Sequence, residues 1–309
     1  MKVVIKNCDE FYNTFKFLET LNDQIKIICT EENIWLQVPS SSHTALADVK
    51  FPASYFESYE CNRPVTIGVY CKVFLKILKN TYKKKGVTLM IEGQDGKDTI
   101  VVTITQESEE DGKYVSSYIL KMVEIVSDMM NIPVQDVHSR FKLTKATLKK
   151  WKDLLYDDAP VTFTPGKDGI FIECTDDNRN KVKLLDGIKP SHWENNTKGI
   201  NDDGDEFERK KWNTFTVGGN NMKLVYSLLN VGTDIRIQFF IEEAPVECYA
   251  KFQNGVYVRL YIAPKINDDE LEEDEVEEAP VRTNKRKTMD ESPEPSAPQA
   301  KQKKVVAAH

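Results

Sequence analysis

Four short segments of this chain each put an apolar stripe on one side of a helix and a narrow polar stripe on the other. Helices of that kind can only sit as a layer on something else, with the polar stripe left facing outward. The sharpest case is CKVFLKILKNTYKKK, Cys71 to Lys85. At 100° per residue, Lys72, Lys76, Lys79 and Lys83 fall within a stripe about 60° wide, and Phe74, Ile77, Leu78 and Thr81 lie opposite. A second segment from Thr144, TKATLKKWKDLLY, repeats the spacing with Lys145, Lys149 and Lys152, while Leu148, Trp151 and Leu155 point elsewhere. A third, NNMKLVYSLLN, offers Lys223, Ser227 and Asn230 against Leu224, Val225 and Leu228. The earliest follows an N-cap expected at Asp9, with Phe11, Phe15 and Leu18 inward and Lys16, Asn13 and Thr20 outward. Two such helices per half of the chain imply a duplicated architecture.

What the helices sit on is antiparallel sheet. VTLMIEG, DTIVVTITQ, VTFTPG, GIFIECTDD, IRIQFFIEE and VYVRLYIAP are short runs rich in β-branched and aromatic residues, separated by turn formers such as GQDGKD and TDDNRN. The fold class is therefore α+β: two similar domains, each an antiparallel sheet carrying two short helices. The domain limits expected are 1–120 and 137–267, joined by a connector over 121–136. That connector, KMVEIVSDMMNIPVQD, has neither clean alternation nor a helical stripe, and Ile132-Pro133 forces extended backbone. Its methionines make an adaptable binding patch if they stay on the surface, or a simple packing contact if they tuck onto the sheet.

The 309 residues carry a net charge of −7, so a lysine stripe looks out of place. The charge is uneven, however. Up to Ile266 there are 35 Lys+Arg against 37 Asp+Glu, whereas the remainder holds 7 against 12. A nearly neutral folded part with a basic face can steer a polyanion to one surface. The tail, 268–309, is expected to be disordered: an acidic run and then a Pro/Ser/Lys-rich stretch that buries nothing. Its clusters NKRK and KQKK read either as a bipartite nuclear-import signal or as incidental lysines on a solvated tail. No apolar run approaches the ~20 residues that cross a bilayer, and no membrane association is expected. Six cysteines without a C-x-x-C pair read as reduced and buried, and neither metal nor cofactor is expected. No phosphate loop, nucleophile elbow or H-E-x-x-H is present, and the reading is that of a binding protein, not an enzyme.

FESYECNRPVTIGVYCKVFLKILK resembles the eukaryotic-type sliding-clamp family, proliferating cell nuclear antigen, in its F-x-x-Y-x-C, G-V and K-I-L-K elements. VRLYIAPKINDDE resembles that family's closing strand and its exit into acidic residues. LQVPSSSH, MNIPVQD and VTFTPGKDGIFIECTDD sit where the family has its front-face loop, connector and second-domain hairpin. The resemblance spans roughly residues 1 to 267, and its force lies in the order and spacing of these elements.

The resemblance implies a homotrimeric ring around double-stranded DNA, with helices lining the hole and sheets outside. Such a ring serves as processivity factor for a DNA polymerase and as a platform for the clamp loader and for replication and repair proteins carrying a clamp-binding motif. Lys16, Lys72, Lys76, Lys79, Lys83, Lys145, Lys149, Lys152 and Lys223 would face the DNA. Lysine suits that task as a mobile point charge, where arginine favours fixed bidentate recognition. The partner-peptide pocket would be His43, Met130, Ile132, Pro133, Pro245, Tyr261, Ile262, Ala263 and Pro264. Subunits would join by edge strands, KYVSSYILK with Tyr114 and Tyr118 against NKVKLLDG with Lys181 and Lys183. The implied place is the nucleus, or a viral replication compartment for a viral chain.

Departures from the family stand out: Pro39 where a larger apolar residue is usual, a long stretch over 189–212, and two helices less basic than a DNA-lined hole suggests. Other readings are a subunit of a heterotrimeric checkpoint-type ring, a monomeric DNA-binding polymerase accessory protein, or a clamp-like scaffold that no longer loads onto DNA.

Overall fold

The computed structural model describes residues 1–265, apart from 7, 94–96, 109–111, 133–136, 157, 167–168, 187–192, 196–197, 201–205, 209–213, 233, 241–243 and 253–254. The tail from 268 onward, with its expected disorder and basic clusters, lies outside the described residues, as does Pro133.

The strand order of the first half is repeated in the second. In the first half, Ser58–Glu60, Lys2–Ile5, Val87–Gly93, Thr99–Ser108 and Gly112–Lys121 lie side by side in that order. Their counterparts are Trp193–Asn195, Val137–Leu143, Asp234–Phe240, Val246–Lys251 and Tyr257–Ile262. A second layer of the first half runs Ala45–Pro52, Asn33–Pro39, Gln24–Cys29, Val65–Tyr70, matched by Lys181–Asp186, Gly169–Thr175, Val161–Gly166, Phe215–Val217. The halves are stitched by one antiparallel ladder, Tyr257↔Lys50 through Ile262↔Ala45, which fuses five strands of one with four of the other into a nine-stranded sheet. Within 189–212, Lys198–Ile200 pairs with Glu206–Glu208.

Among the described residues four α-helices cover this sheet framework: α1 (Asp9–Leu18), α2 (Cys71–Leu78), α3 (Lys145–Leu154) and α4 (Gly219–Ser227). α1 packs on α2 and α3 on α4, and the tight turn Leu228–Asn230 that follows α4 touches α1, so the four form one layer. Their inward faces end in a duplicated aromatic core. Phe11 of α1 meets Phe51 at 5.2 Å between ring centres and Phe15 meets Phe74 at 4.9 Å. Trp151 of α3 meets Phe163, and Phe163 meets Phe239, each at 5.8 Å. Each phenylalanine fully removed from water contributes roughly 1.5–3 kcal/mol.

Two helix ends differ from expectation. Cys8, not Asp9, precedes the first turn of α1, and the Asp9 carboxylate instead accepts the Lys83 backbone N–H at 2.7 Å. Thr144 does cap α3, its hydroxyl accepting from Thr147 N–H at 3.0 Å. α2 closes at Leu78, earlier than the lysine spacing suggests. Thr81, buried there, hydrogen-bonds its hydroxyl back to the Leu78 carbonyl, and Lys83 adopts a left-handed φ of 56°. Lys83 therefore stands on a turn, outside the helical stripe.

Candidate DNA-facing wall and partner pocket

All nine lysines expected on the wall are exposed on the helix layer or on the turn after α2. They are not equivalent. Lys72 is paired with Asp23 at 2.9 Å and Lys223 with Asp158 at 2.5 Å. Each aspartate lies shortly before the strand that follows the first helix of its half, so the duplication has repeated the ion pair. Asp23 also raises the Lys72 pKa, first through the hydrogen bond it accepts. These two lysines tie the second helix of each half to a loop, and their charge is already partly answered. Lys16, Lys76, Lys79, Lys145, Lys149 and Lys152 have no carboxylate within ion-pair distance among the described residues. Lys152 and Lys223 share the rim of a shallow pocket of about 360 Å³ with Ser227 and Asn230. A rail of ammonium groups with few competing carboxylates is what phosphate contact without base reading calls for.

The second site lies beneath the connector. From Lys121 the chain crosses the outer face of the sheet, held at successive strands by the Val123 N–H on the Gly68 carbonyl at 3.0 Å and by Lys26 Nζ on the Ser127 carbonyl at 2.5 Å. The Gln37 amide then grips both sides of Met130, donating to its carbonyl at 3.0 Å and accepting its N–H at 2.7 Å. Gly68 is required: a Cβ there would meet the Val123 oxygen at 1.9 Å. Gly68→Ala is expected to lift the connector, lowering stability by about 1–3 kcal/mol in denaturant unfolding and speeding exchange of the Val123 amide. An unchanged Val123 exchange rate would show that the glycine is not what seats the connector.

Below and beyond Met130 a cavity of about 810 Å³ opens, walled by Met129, Met130 and Ile132 of the connector together with Pro245, Phe240 and Tyr261. Four of the nine residues expected in the pocket therefore meet there: Met130, Ile132, Pro245 and Tyr261. Ile262, next to Tyr261 on an alternating strand, is buried in the core on the opposite face. His43 is exposed on the adjoining loop at φ 57°, and Ala263 is tied to that loop through its N–H on the Thr44 carbonyl at 2.9 Å. His43, Ala263 and Pro264 border the cavity's end of the sheet without lining the cavity.

Its floor is polar, which the motif reading does not anticipate. Gln37↔Asp48↔Arg259↔Tyr249↔Arg236 form one row across the nine-stranded sheet. The Trp35 indole donates to Asp48 at 2.5 Å, and Arg140 donates to Gln238. Gln238 donates in turn to Glu247 at 2.9 Å. Arg259 lies 3.6 Å from Glu247 and over the rings of Tyr257 and Tyr249 at 4.9 and 5.7 Å. Burial pushes the Glu247 carboxyl up, with Arg259, Gln238 and Arg140 pulling it part of the way back. Alternation on VYVRLYIAP puts Arg259 and Tyr261 on one face, the one signal in the sequence that marks this floor.

Both prospective edges are at sheet margins. Among the described residues Gly112–Lys121 pairs only with Thr99–Ser108, and Tyr114, Val115 and Ile119 are left 58%, 59% and 73% exposed. Tyr118 is half-buried against the core. Among the described residues Lys181–Asp186 pairs only with Gly169–Thr175, and Lys181 and Lys183 both reach Glu173 of that neighbour, at 3.4 and 2.9 Å. Lys183 holds the Glu173 carboxyl below its ordinary range. All six cysteines are buried, and burial pushes the Cys29 and Cys71 thiols up to about 12, so neither is a thiolate at neutral pH.

The model of the proliferating cell nuclear antigen N-terminal domain matches residues 11–130. The proliferating cell nuclear antigen of Caenorhabditis elegans is 27% identical over 265 residues, covering 82% of this chain and 94% of that protein. That of Chaetomium thermophilum is 26% identical over 243 residues, covering 78% and 89%. Among solved structures, proliferating cellular nuclear antigen from Entamoeba histolytica superposes with a TM-score of 0.70 at 19% identity, over 86% of this chain and 98% of that one. A chain of the PCNA2–PCNA3 complex from Sulfolobus tokodaii superposes with a TM-score of 0.68 at 19% identity, over 86% and 99%.

Proposed function

We propose that this chain is a sliding clamp of the proliferating cell nuclear antigen family, the family of its N-terminal domain match and of its curated relatives, and that three copies close into a ring around duplex DNA. The ring acts as a processivity factor for a DNA polymerase and as a dock for the clamp loader and for replication and repair proteins. As a clamp it is a scaffold and not an enzyme. The observation that carries the ring is the ladder between Tyr257–Ile262 and Ala45–Pro52. In the duplicated strand order these correspond to Gly112–Lys121 and Lys181–Asp186, two margin strands that each have a single neighbour among the described residues. A neighbour supplying one to the other repeats between copies the junction already made within each copy. Such a head-to-tail contact gives a ring when its rotation closes.

In this reading the domains are 1–120 and 137–267 with the connector at 121–136, and the tail begins at 268. The helix lysines form the inner wall, and the cavity under the connector takes the apolar plug of a partner's motif over its polar floor. The eukaryotic relatives favour the nucleus as the place of action, with a viral replication compartment as the alternative. A heterotrimeric ring is the second reading, favoured by the fold's likeness to a clamp solved as a PCNA2–PCNA3 complex. Light scattering of the full chain alone at micromolar concentration is expected to give three chain masses. A stable single-chain mass would end the homotrimer reading and favour a ring needing other subunits.

A further inference from the structure

We propose that the DNA track does not end with α2 but continues onto the turn after it, where Lys83, Lys84 and Lys85 hold duplex that extends past the helical wall. This rests on the reading of the helix layer as the DNA-facing wall. The turn is a shaped element. The Lys83 N–H is held by the Asp9 carboxylate at 2.7 Å in a left-handed conformation, and the Lys84 N–H returns to the Thr81 carbonyl at 3.3 Å. Tyr82 lies against Tyr12 of α1 with ring centres 4.5 Å apart, and the Lys83 ammonium sits 5.1 Å above the Tyr82 ring. Gly86 closes the turn at φ 66°, where a Cβ would meet the Glu107 carbonyl oxygen at 2.7 Å. Both ends are thus fixed, and three lysines are presented from a defined backbone.

Their charge is unanswered within the chain. Lys2, Lys6, Lys72, Lys113, Lys181, Lys183 and Lys223 all have carboxylate partners. Lys76, Lys79, Lys83, Lys84 and Lys85, which follow one another along α2 and its turn, have none among the described residues. Lys50, Lys97, Lys121 and Lys251 likewise have no ion pair among the described residues but stand on separate elements, whereas these five follow one another along one helix and its turn, a concentration of like charge that suits an external polyanion. The ligand class follows from what the patch lacks. It contains no arginine fork for a discrete phosphate or carboxylate, and Lys83, Lys84 and Lys85 are all exposed, so it fits a continuous string of phosphates. The Lys72-to-Lys79 stretch of α2 covers only roughly 10 Å. The turn lengthens the track at that end of the helix pair.

The test compares the full chain with its Lys83→Gln/Lys84→Gln/Lys85→Gln variant on two labelled duplexes, of about one and about four helical turns, by fluorescence anisotropy at low salt. The expected result is about tenfold weaker binding to the long duplex and less than about twofold change on the short one. The slope of log affinity against log salt should become shallower by roughly one or more on the long duplex only. Unchanged long-duplex binding would overturn the proposal, and so would an equal loss on both lengths, which would make the turn part of the wall itself. A Lys76→Glu/Lys79→Glu control separates the two readings. If that control weakens both duplexes while the turn variant weakens neither, the wall stands and the extension falls. If the control weakens neither, the wall reading falls and takes the extension with it. Should the triple variant change the particle mass, Lys84→Gln and Lys85→Gln singly carry the same comparison, because neither side chain has a carboxylate partner among the described residues.

Discussion

If the proposed ring forms, a Val115→Lys/Ile119→Lys variant is expected to sediment as single chains at concentrations where the unaltered chain gives three chain masses. Both side chains are more than half exposed in one copy, on a margin strand with no second neighbour among the described residues. Removing them therefore costs the isolated fold little. In the ring each would be covered by the next copy, and a buried apolar side chain of this size is worth roughly 1.5–3 kcal/mol. Two such losses per contact weaken each junction by about two to four powers of ten, before any cost of placing a lysine at a sheet margin. Lysine at an edge strand is also the device by which single chains keep edges from pairing. Thermal unfolding measured at low protein concentration should be nearly unchanged, which separates lost assembly from lost folding. Persistence of the three-chain mass below micromolar concentration would remove this edge from the interface.

The native-looking edge at Lys181–Asp186 already carries two lysines, yet both lean on Glu173 of the adjacent strand. Their ammonium groups are occupied within the chain, so the margin offers main-chain donors and acceptors in preference to ionic contacts. The sequence reading takes Lys181 and Lys183 as interface side chains, whereas in the structure both are anchored to their own sheet. The helices show the same pattern. Apolar stripes at 3.6-residue spacing identify Phe11, Phe15, Leu148, Trp151 and Leu224 as inward-facing, and all are buried. Local periodicity suffices because a helix makes its own hydrogen bonds. It is blind to what stops a helix or what pairs across it, so it carries Lys83 onto a stripe that ends at Leu78, and it counts Lys72 and Lys223 as equals of Lys76. Asp23 and Asp158, which distinguish them, come from other elements.

The pocket divides along the same line. Met130, Ile132, Pro245 and Tyr261 are legible as a set through motif resemblance, since each stands in a short recognisable string. The floor is not, because its neighbours are brought together by register alone: Asp48 meets Arg259 only through the ladder that joins the halves. Ala45–Pro52 mixes aspartate and lysine with a single β-branched residue, and the isoleucine run of Gln24–Cys29 is broken by Lys26. Their place becomes clear once the duplicated strand order is seen.

Reversing Lys76, Lys79, Lys149 and Lys152 to glutamate is expected to abolish stimulation of a polymerase while leaving the three-chain mass intact. These four stand exposed on α2 and α3, or at the end of α2 in the case of Lys79, and none has a carboxylate partner among the described residues. Their charges are therefore wholly available to phosphate. Each lost phosphate contact reduces the slope of log affinity against log salt by roughly 0.9, and glutamate adds repulsion to the loss. Direct binding to linear duplex should fall more than about a hundredfold at low salt. The informative contrast is Lys72→Ala/Lys223→Ala. Those ammonium groups are shared with Asp23 and Asp158, so their removal should weaken DNA binding by less than about threefold, exposed pairs being worth little to either partner. If the two variants lose DNA to the same degree, the ion pairs do not partition the rail, and all the helix lysines contribute alike. If the fourfold reversal leaves stimulation intact, the helix layer is not the surface that DNA passes.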